Sequence, residues 1–195
     1  MKTLVKNTYL ALLLSLFVLG TVQAQDVFKL SENSEVKITG TSTLHDWESV
    51  VENTEAKLVV SNKDDMATIQ ELEIKIEVRS IKSGKNVMDI KTYNALRSTE
   101  NPNITFTLTE PVLIDDQDQV TAKGTLDLAG VTKEIAVIGK VNYDNNAQLG
   151  IKASYTINMP EYNIDPPTAM FGTIKTGEEV TVVFDMQLTK TSVAN

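Results

Sequence analysis

The feature that most constrains this chain is an alternation of apolar and polar residues that recurs along most of its length. In residues 72–78 and again in residues 180–188, every second residue is apolar. Because successive side chains of a strand point to opposite faces, these runs predict strands with one apolar and one polar face. Such strands are typical of antiparallel sheets, since parallel strands covered on both faces are continuously apolar.

The runs predict eight long strands joined mostly by short turns. Two connections, 115–118 and 144–146, are rich in Asp and Asn, which favour hairpins. Eight antiparallel strands can close into a barrel, which has no free edges and encloses either packed side chains or one small ligand. The predicted strands lie near residues 34–41, 44–61, 68–81, 103–114, 119–128, 133–144, 147–158 and 178–190.

Two segments interrupt the strand pattern. In residues 83–96, apolar residues recur every three positions from Val87, and Asn86 with Asp89 resembles a capping arrangement. This pattern predicts a short helix, which we expect to lie across one mouth of the barrel. Residues 160–177 are too long for a hairpin, and they predict a lid or a binding loop.

The first 24 residues resemble a secretory signal peptide. Lys2 and Lys6 precede a short apolar run, Leu10–Leu19, and Ala24 ends a segment of the kind that signal peptidases cleave. The run is too short for a membrane span, so we expect cleavage after Ala24 and no stable membrane insertion. An uncleaved anchor is the alternative. Residues 25–195 then form a single secreted or periplasmic domain.

The composition excludes several classes of function. The chain has 26 acidic against 18 basic residues and a net charge of −8, which disfavours nucleic acid as a partner. It has no cysteine and only one histidine, so we expect no disulfide and no metal site.

The single histidine and the single tryptophan lie together in the segment 40–47. His45 and Asp46 are adjacent on a predicted strand and therefore point to opposite faces, which argues against a catalytic pair. There is no G-x-S-x-G motif. We therefore predict no catalytic residues and no enzyme. His45 and Trp47 either contact a ligand at the barrel mouth or simply pack at a strand end.

Four blocks of residues resemble the YceI-like family of secreted bacterial proteins. They are Ile38–Trp47, Asn101–Phe106, Gly124–Ile135 and 165–180, and they follow one another in family order. Many members have a histidine where this chain has Ala129. The resemblance implies a lipocalin-like antiparallel barrel that encloses a polyisoprenoid or a similar lipid, a periplasmic location and no catalysis.

These observations predict an all-β, eight-stranded, lipocalin-like barrel with a short helix between strands. We expect a non-catalytic carrier or storage protein that holds a polyisoprenoid or quinone-like lipid and needs no other cofactor. The alternative is a protein-interaction module of the cell envelope, with a filled barrel or sandwich, an exposed apolar patch and no ligand. The oligomeric state, including a dimer, stays open. The residues expected to contact the ligand are His45, Trp47, Ile74, Ile76, Met88, Tyr93, Phe106, Leu108, Tyr155, Met170, Phe171 and Phe184.

Overall fold

The computed structural model describes residues 25–63, 66–115, 117–143 and 147–191. These residues form a closed antiparallel barrel of eight strands with one short α-helix, which confirms the predicted fold class. Shorter strands extend its wall. The strands are β1 (Gln25–Leu30), β2 (Glu35–Ser42), β3 (Trp47–Val51), β4 (Thr54–Lys63), β5 (Met66–Glu77), β6 (Ile81–Lys82), β7 (Asn103–Leu108), β8 (Val112–Leu113), β9 (Gln119–Leu128), β10 (Val131–Tyr143), β11 (Gln148–Asn158), β12 (Thr168–Ala169) and β13 (Ile174–Lys190), and the helix is α1 (Asn86–Ala95).

The barrel closes around β13, a strand of 17 residues. The ring runs β1, β4, β5, β7, β9, β10, β11 and β13, and β1 pairs back to β13. We call the end where β13 begins the mouth and the end where it finishes the floor. Along one edge, β13 pairs with β2 towards the mouth and with β1 at the floor. β3 and β6 continue the wall beyond β2 at the mouth.

Residues 44–61 and 68–81 were each predicted as one strand, and both predictions are wrong. The first segment divides into β3 and β4, and the second into β5 and β6, separated by a 3₁₀ turn at Val78–Ser80. The breaks lie at the same level of the barrel because paired strands must bend together.

Hydrogen bonds between the two breaks satisfy the backbone at this corner. The amide of Glu52 donates to the carbonyl oxygen of Ser80 at 3.0 Å, and the amide of Glu77 donates to that of Asn53 at 3.2 Å. The buried hydroxyl of Ser80 donates to the carbonyl oxygen of Glu77 at 2.7 Å. The wall therefore turns a corner without leaving these backbone groups unpaired.

The prediction for residues 103–114 also needs correction. β7 ends at Leu108, and β8 follows after Pro111, a residue without an amide hydrogen for the sheet ladder. β8 pairs with β5, so the turn at Asp115 does not join two paired strands as expected. Instead, the Asp115 carboxylate accepts hydrogen bonds from the amides of Gln117 (2.9 Å) and Gln119 (2.8 Å).

The remaining differences are at the ends. β1 precedes the first predicted strand, because Gln25–Leu30 pairs with both β4 and β13. The predicted signal peptide, 1–24, and the predicted hairpin turn at 144–146 lie outside the described residues.

The floor of the barrel is filled by large side chains. The ring of Phe28 meets that of Tyr143 edge to face, with ring centres 6.0 Å apart. This is a favourable geometry for two aromatic rings. The side chains that are fully or almost fully buried around it are Leu58, Val60, Val141, Leu149, Met186 and Leu188.

Helix α1 begins differently from the prediction. Its N-cap is Lys85, which makes no side-chain capping bond, and Asn86 does not pair with Asp89. The buried Asp89 carboxylate instead accepts hydrogen bonds from the amide (2.8 Å) and the hydroxyl (2.6 Å) of Ser83. Burial raises the pKa of Asp89, but the Ser83 hydrogen bonds and the Lys82 charge outweigh it, so the pKa is lowered.

Replacing Asp89 should destabilise the domain, whereas replacing Asn86 should not. Asp89→Ala removes two hydrogen bonds to a buried carboxylate, and we expect a loss of about 1–3 kcal/mol in the free energy of unfolding. Because folding lowers the Asp89 pKa, its contribution is fully present above pH ~4 and is lost as the pH falls through the lowered value. Denaturant unfolding of both variants and the wild type at pH 7 and pH 3 measures this. Equal stability of Asp89→Ala and Asn86→Ala would contradict it.

Candidate functional site

A cavity of about 410 Å³ lies between the packed floor and the mouth of the barrel. This volume falls within the range of roughly 300–1,000 Å³ that is common for small-ligand sites. The filled barrel expected under the alternative is therefore wrong. The wall is built from apolar side chains on the inward face of the long strands, among them Ile38, Leu72, Ile74, Ile76, Ile104, Phe106, Leu126, Ile135, Val137, Ile151, Val182, Phe184 and Met186.

Two small residues leave space at the middle of the cavity wall. Gly139 and Ala153 are directly opposite each other in β10 and β11, and both line the cavity. A Cβ atom on Gly139 would lie 3.0 Å from the Cβ atom of Ala153, so the strands approach too closely there for two larger residues. The small pair keeps the cavity open at a level where larger side chains would fill it.

Three irregular segments frame the mouth: residues 42–47, helix α1 and residues 164–174. Hydrogen bonds join them. The Thr43 amide donates to the carbonyl oxygen of Lys175 at 3.0 Å. The Lys91 ammonium group donates to the carbonyl oxygen of Thr168 at 2.6 Å, and so links α1 to the loop before β13.

Trp47 is held at the mouth by the shape of the opposite strand. It pairs with Gly40, and a Cβ atom on that glycine would lie only 2.4 Å from the indole ring. The indole nitrogen donates a hydrogen bond to the carbonyl oxygen of Thr41 at 3.0 Å. The ring thus packs against a residue with no side chain, its nitrogen is hydrogen-bonded, and it also lines the cavity.

His45 is an exposed residue of the same turn that also lines the cavity. Its Nδ1 atom lies 2.7 Å from the carbonyl oxygen of Asp46. The Ser42 hydroxyl donates to the carbonyl oxygen of His45 at 2.6 Å and fixes the turn. The imidazole is therefore oriented by main-chain contacts rather than by a carboxylate side chain.

Two tyrosines place hydroxyl groups at one wall. Tyr155 lines the cavity, and Tyr162 is buried beside it. Burial, the charges of Tyr155 and Glu161, and a hydrogen bond with Tyr155 raise the pKa of Tyr162 to about 12. Tyr162 is therefore neutral at physiological pH, and the wall carries no negative charge at this position.

Of the twelve residues predicted to contact a ligand, eight line the cavity. They come from the strands, the 42–47 turn and α1. The eight are His45, Trp47, Ile74, Ile76, Met88, Phe106, Tyr155 and Phe184.

The other four lie elsewhere. Tyr93 turns to the corner of the wall, where its hydroxyl contacts the carbonyl oxygens of Arg79 (2.9 Å) and Ile81 (3.1 Å). Leu108, at the end of β7, is partly buried against the core but does not line the cavity. Met170 and Phe171 are exposed at a turn and point away from it.

The prediction also missed part of the helical contribution. Lys91, Thr92 and Ala95 line the cavity together with Met88. These three residues lie three, four and seven positions after Met88, which places all four side chains on one face of a helix. This spacing could have identified them from the sequence. The period-three series from Val87 suggested a different face, but Val87 is exposed.

Two further structural facts bear on function. In the described part of the chain, no group of three or more His, Cys, Asp or Glu residues is arranged to hold a metal ion. No helix within it is both long and apolar enough to cross a membrane.

The sequence profile of the YceI-like domain matches residues 27–188, most of the chain. The chain belongs to the YceI-like family. The match includes nearly all the elements of the barrel, the helix and the segments around the mouth. No curated protein matches the chain in sequence.

Solved structures of YceI-like barrels have the same fold at low sequence identity. BcnA of Burkholderia cenocepacia has a TM-score of 0.67 at 15% identity, covering 81% of this chain and 98% of its own. A polyisoprenoid-binding domain of Saccharophagus degradans has a TM-score of 0.63 at 14% identity, covering 87% and 99%. A YceI protein of Campylobacter jejuni has a TM-score of 0.58 at 15% identity, covering 73% and 83%.

The contact between Gly40 and Trp47 can be tested by adding one methyl group. Gly40→Ala would force the indole away from its strand, and overpacking of this kind costs about 1–3 kcal/mol. We expect a lower melting temperature and a shifted emission spectrum, because Trp47 is the only tryptophan. Gly150→Ala is the matched control, since its added carbon would make ordinary contacts at 3.4 Å or more. An unchanged spectrum in Gly40→Ala would disprove the packing argument.

Proposed function

We propose that this YceI-like domain binds a lipid with a long apolar chain, such as a polyisoprenoid, inside the barrel. The observation that carries the proposal is the 410 Å³ cavity with its almost entirely apolar wall. An apolar chain needs few polar contacts, since burying each methylene contributes about 0.8 kcal/mol. The name of the Saccharophagus degradans domain supports the same class of ligand.

The proposed orientation places the chain in the cavity and the polar end of the lipid at the mouth. The floor is closed by fully buried side chains such as Phe28 and Leu149. The basic side chains of the lining are His45, Lys85 and Lys91, and they lie in or next to the segments that frame the mouth. A head group there would remain near water and near hydrogen-bond donors.

The proposed role is that of a non-catalytic carrier or store. His45 is oriented by main-chain atoms and has no carboxylate partner in the hydrogen bonds of its turn. The signal-like segment 1–24 supports secretion or a periplasmic location for this role. Direct detection of the lipid and of the cleaved N-terminus would test both parts.

The decisive experiment is organic extraction of the purified protein followed by mass spectrometry. Wild-type protein should release a long-chain lipid, or should take up geranylgeraniol when it is supplied. Ala153→Phe should reduce the lipid content several-fold, because the added ring enters the middle of the cavity.

Ser154→Phe is the matched control, because the neighbouring position is exposed and faces away from the cavity. It should retain the wild-type lipid content. Both variants should show the far-UV circular dichroism of a folded barrel. Wild-type protein that releases no lipid and takes up none would refute the proposal.

A second experiment addresses the hydrogen bond from Lys91 to Thr168 across the mouth. Lys91→Met keeps the apolar part of the side chain and removes the charged donor, which should loosen the link between α1 and the loop. We expect parinaric acid, a fluorescent apolar probe excited by energy transfer from Trp47, to dissociate about three- to tenfold faster. Lys140→Met, on the outer wall, is the control. Equal dissociation rates for the two variants would show that the link does not hold the mouth closed.

A further inference from the structure

Large apolar side chains are exposed around the mouth of the cavity. Phe171 is fully exposed, and Leu44, Val87 and Met170 expose 67%, 70% and 69% of their surface. Ile90 is also exposed. We call these five residues the rim. The other exposed large apolar residues of the described chain are Val50, Met66, Leu113, Ile138 and Val183.

The rim residues belong to the three segments that frame the mouth. Leu44 lines the opening, and Met170 and Phe171 form the turn between β12 and β13, two strands whose Ala169 and Ile174 line it. Val87 and Ile90 lie on the outward side of α1, since its inward side faces the cavity. The rim therefore surrounds the point where an apolar chain enters.

The turn at residues 170–172 has a backbone that costs free energy to form. Met170, Phe171 and Gly172 have φ angles of 50°, 55° and 86°, all in the left-handed region. Side chains other than glycine rarely adopt it, and such conformations gather at sites of function. Here it presents two large apolar side chains to solvent instead of folding them into the cavity.

The segments beside the rim are less acidic than the chain as a whole. Segments 42–47, 85–95 and 164–175 contain three lysines against three carboxylates, Asp46, Asp89 and Asp165, and Asp89 is buried. The whole chain has a net charge of −8. Protruding apolar side chains interspersed with lysines match the boundary between acyl chains and phosphate head groups.

We propose that the rim is a docking surface for the face of a phospholipid bilayer, into which Met170 and Phe171 insert while the neighbouring lysines contact phosphates. The surface consists of exposed apolar side chains from three separate segments, which suits a fluid lipid layer better than a fitted protein partner. Docking in this orientation would place the mouth against the bilayer. The inference concerns the outer surface and does not depend on what the cavity holds.

The test is flotation of the folded protein, without residues 1–24, with vesicles of phosphatidylethanolamine and a minor fraction of phosphatidylglycerol. Wild-type protein should float with the vesicles. The double variant Met170→Ser/Phe171→Ser should bind roughly tenfold more weakly or less, as expected when two exposed apolar side chains can no longer be buried. Ile138→Ser, which replaces an equally exposed residue on the outer wall, should bind as the wild type does.

Three results would overturn the proposal: no flotation of the wild-type protein, equal binding by the double variant, or an equal loss in Ile138→Ser. A self-association that the double variant abolishes, without flotation, would assign the rim to a second copy of this chain instead. Lipid content measured in the same samples separates this inference from the proposed function. Met170→Ser/Phe171→Ser should keep its lipid and lose flotation, whereas Ala153→Phe should lose lipid and keep flotation.

Discussion

The structure depends on the pairing of β13 along both of its edges. β11 follows one edge from Asn158 opposite Glu179 to Gln148 opposite Thr189. On the other edge, β2 pairs near the mouth and β1 at the floor. Because side chains alternate along the strand, this register also decides which residues face inward, and a shift of one residue would turn its apolar face to water. A single strand thus connects the wall of the cavity, through Val182 and Phe184, to the packed floor at Leu188.

The cavity results from an unequal distribution of side-chain size along the barrel. The floor has large, fully buried residues, the middle has the small pair Gly139 and Ala153, and the mouth is covered by a helix and loops instead of a second plug. An unfilled apolar volume destabilises a protein, and an apolar ligand that binds only the folded state recovers stability. The packed floor provides a core that does not depend on the cavity. The barrel can therefore keep its shape whether the cavity is empty or filled.

The sequence predicted the features that depend on the spacing of apolar residues, and it missed those that depend on tertiary contacts. The alternation located seven of the eight ring strands and missed β1, and it identified Ile74, Ile76, Phe106, Tyr155 and Phe184 among the strand residues that line the cavity. It could not show that the wall bends after β3 and β5, because the bend is fixed by hydrogen bonds from Glu52 to Ser80 and from Glu77 to Asn53, residues far apart in the chain. Nor could it show whether the inward side chains fill the barrel or leave a cavity, since that depends on the sum of their volumes relative to the barrel interior. The sequence analysis predicted that Tyr93 contacts the ligand. Its hydroxyl instead contacts the carbonyl oxygens of Arg79 and Ile81, which only the fold brings near it.

The irregular segments of the mouth explain why apolar residues there are hard to assign from sequence. On a strand, an apolar residue in phase with its neighbours faces the interior, but α1 and the 164–174 segment follow no such alternation. On α1, Met88 faces the cavity while Val87 faces solvent, and in the turn after β12 the left-handed backbone directs Phe171 outward. Apolar residues of one short region thus divide between an inner surface, which lines the cavity, and an outer surface, which forms the proposed bilayer contact. If the proposed ligand and the proposed docking surface are both correct, two apolar surfaces that meet at one opening would let a chain pass between bilayer and cavity with little exposure to water.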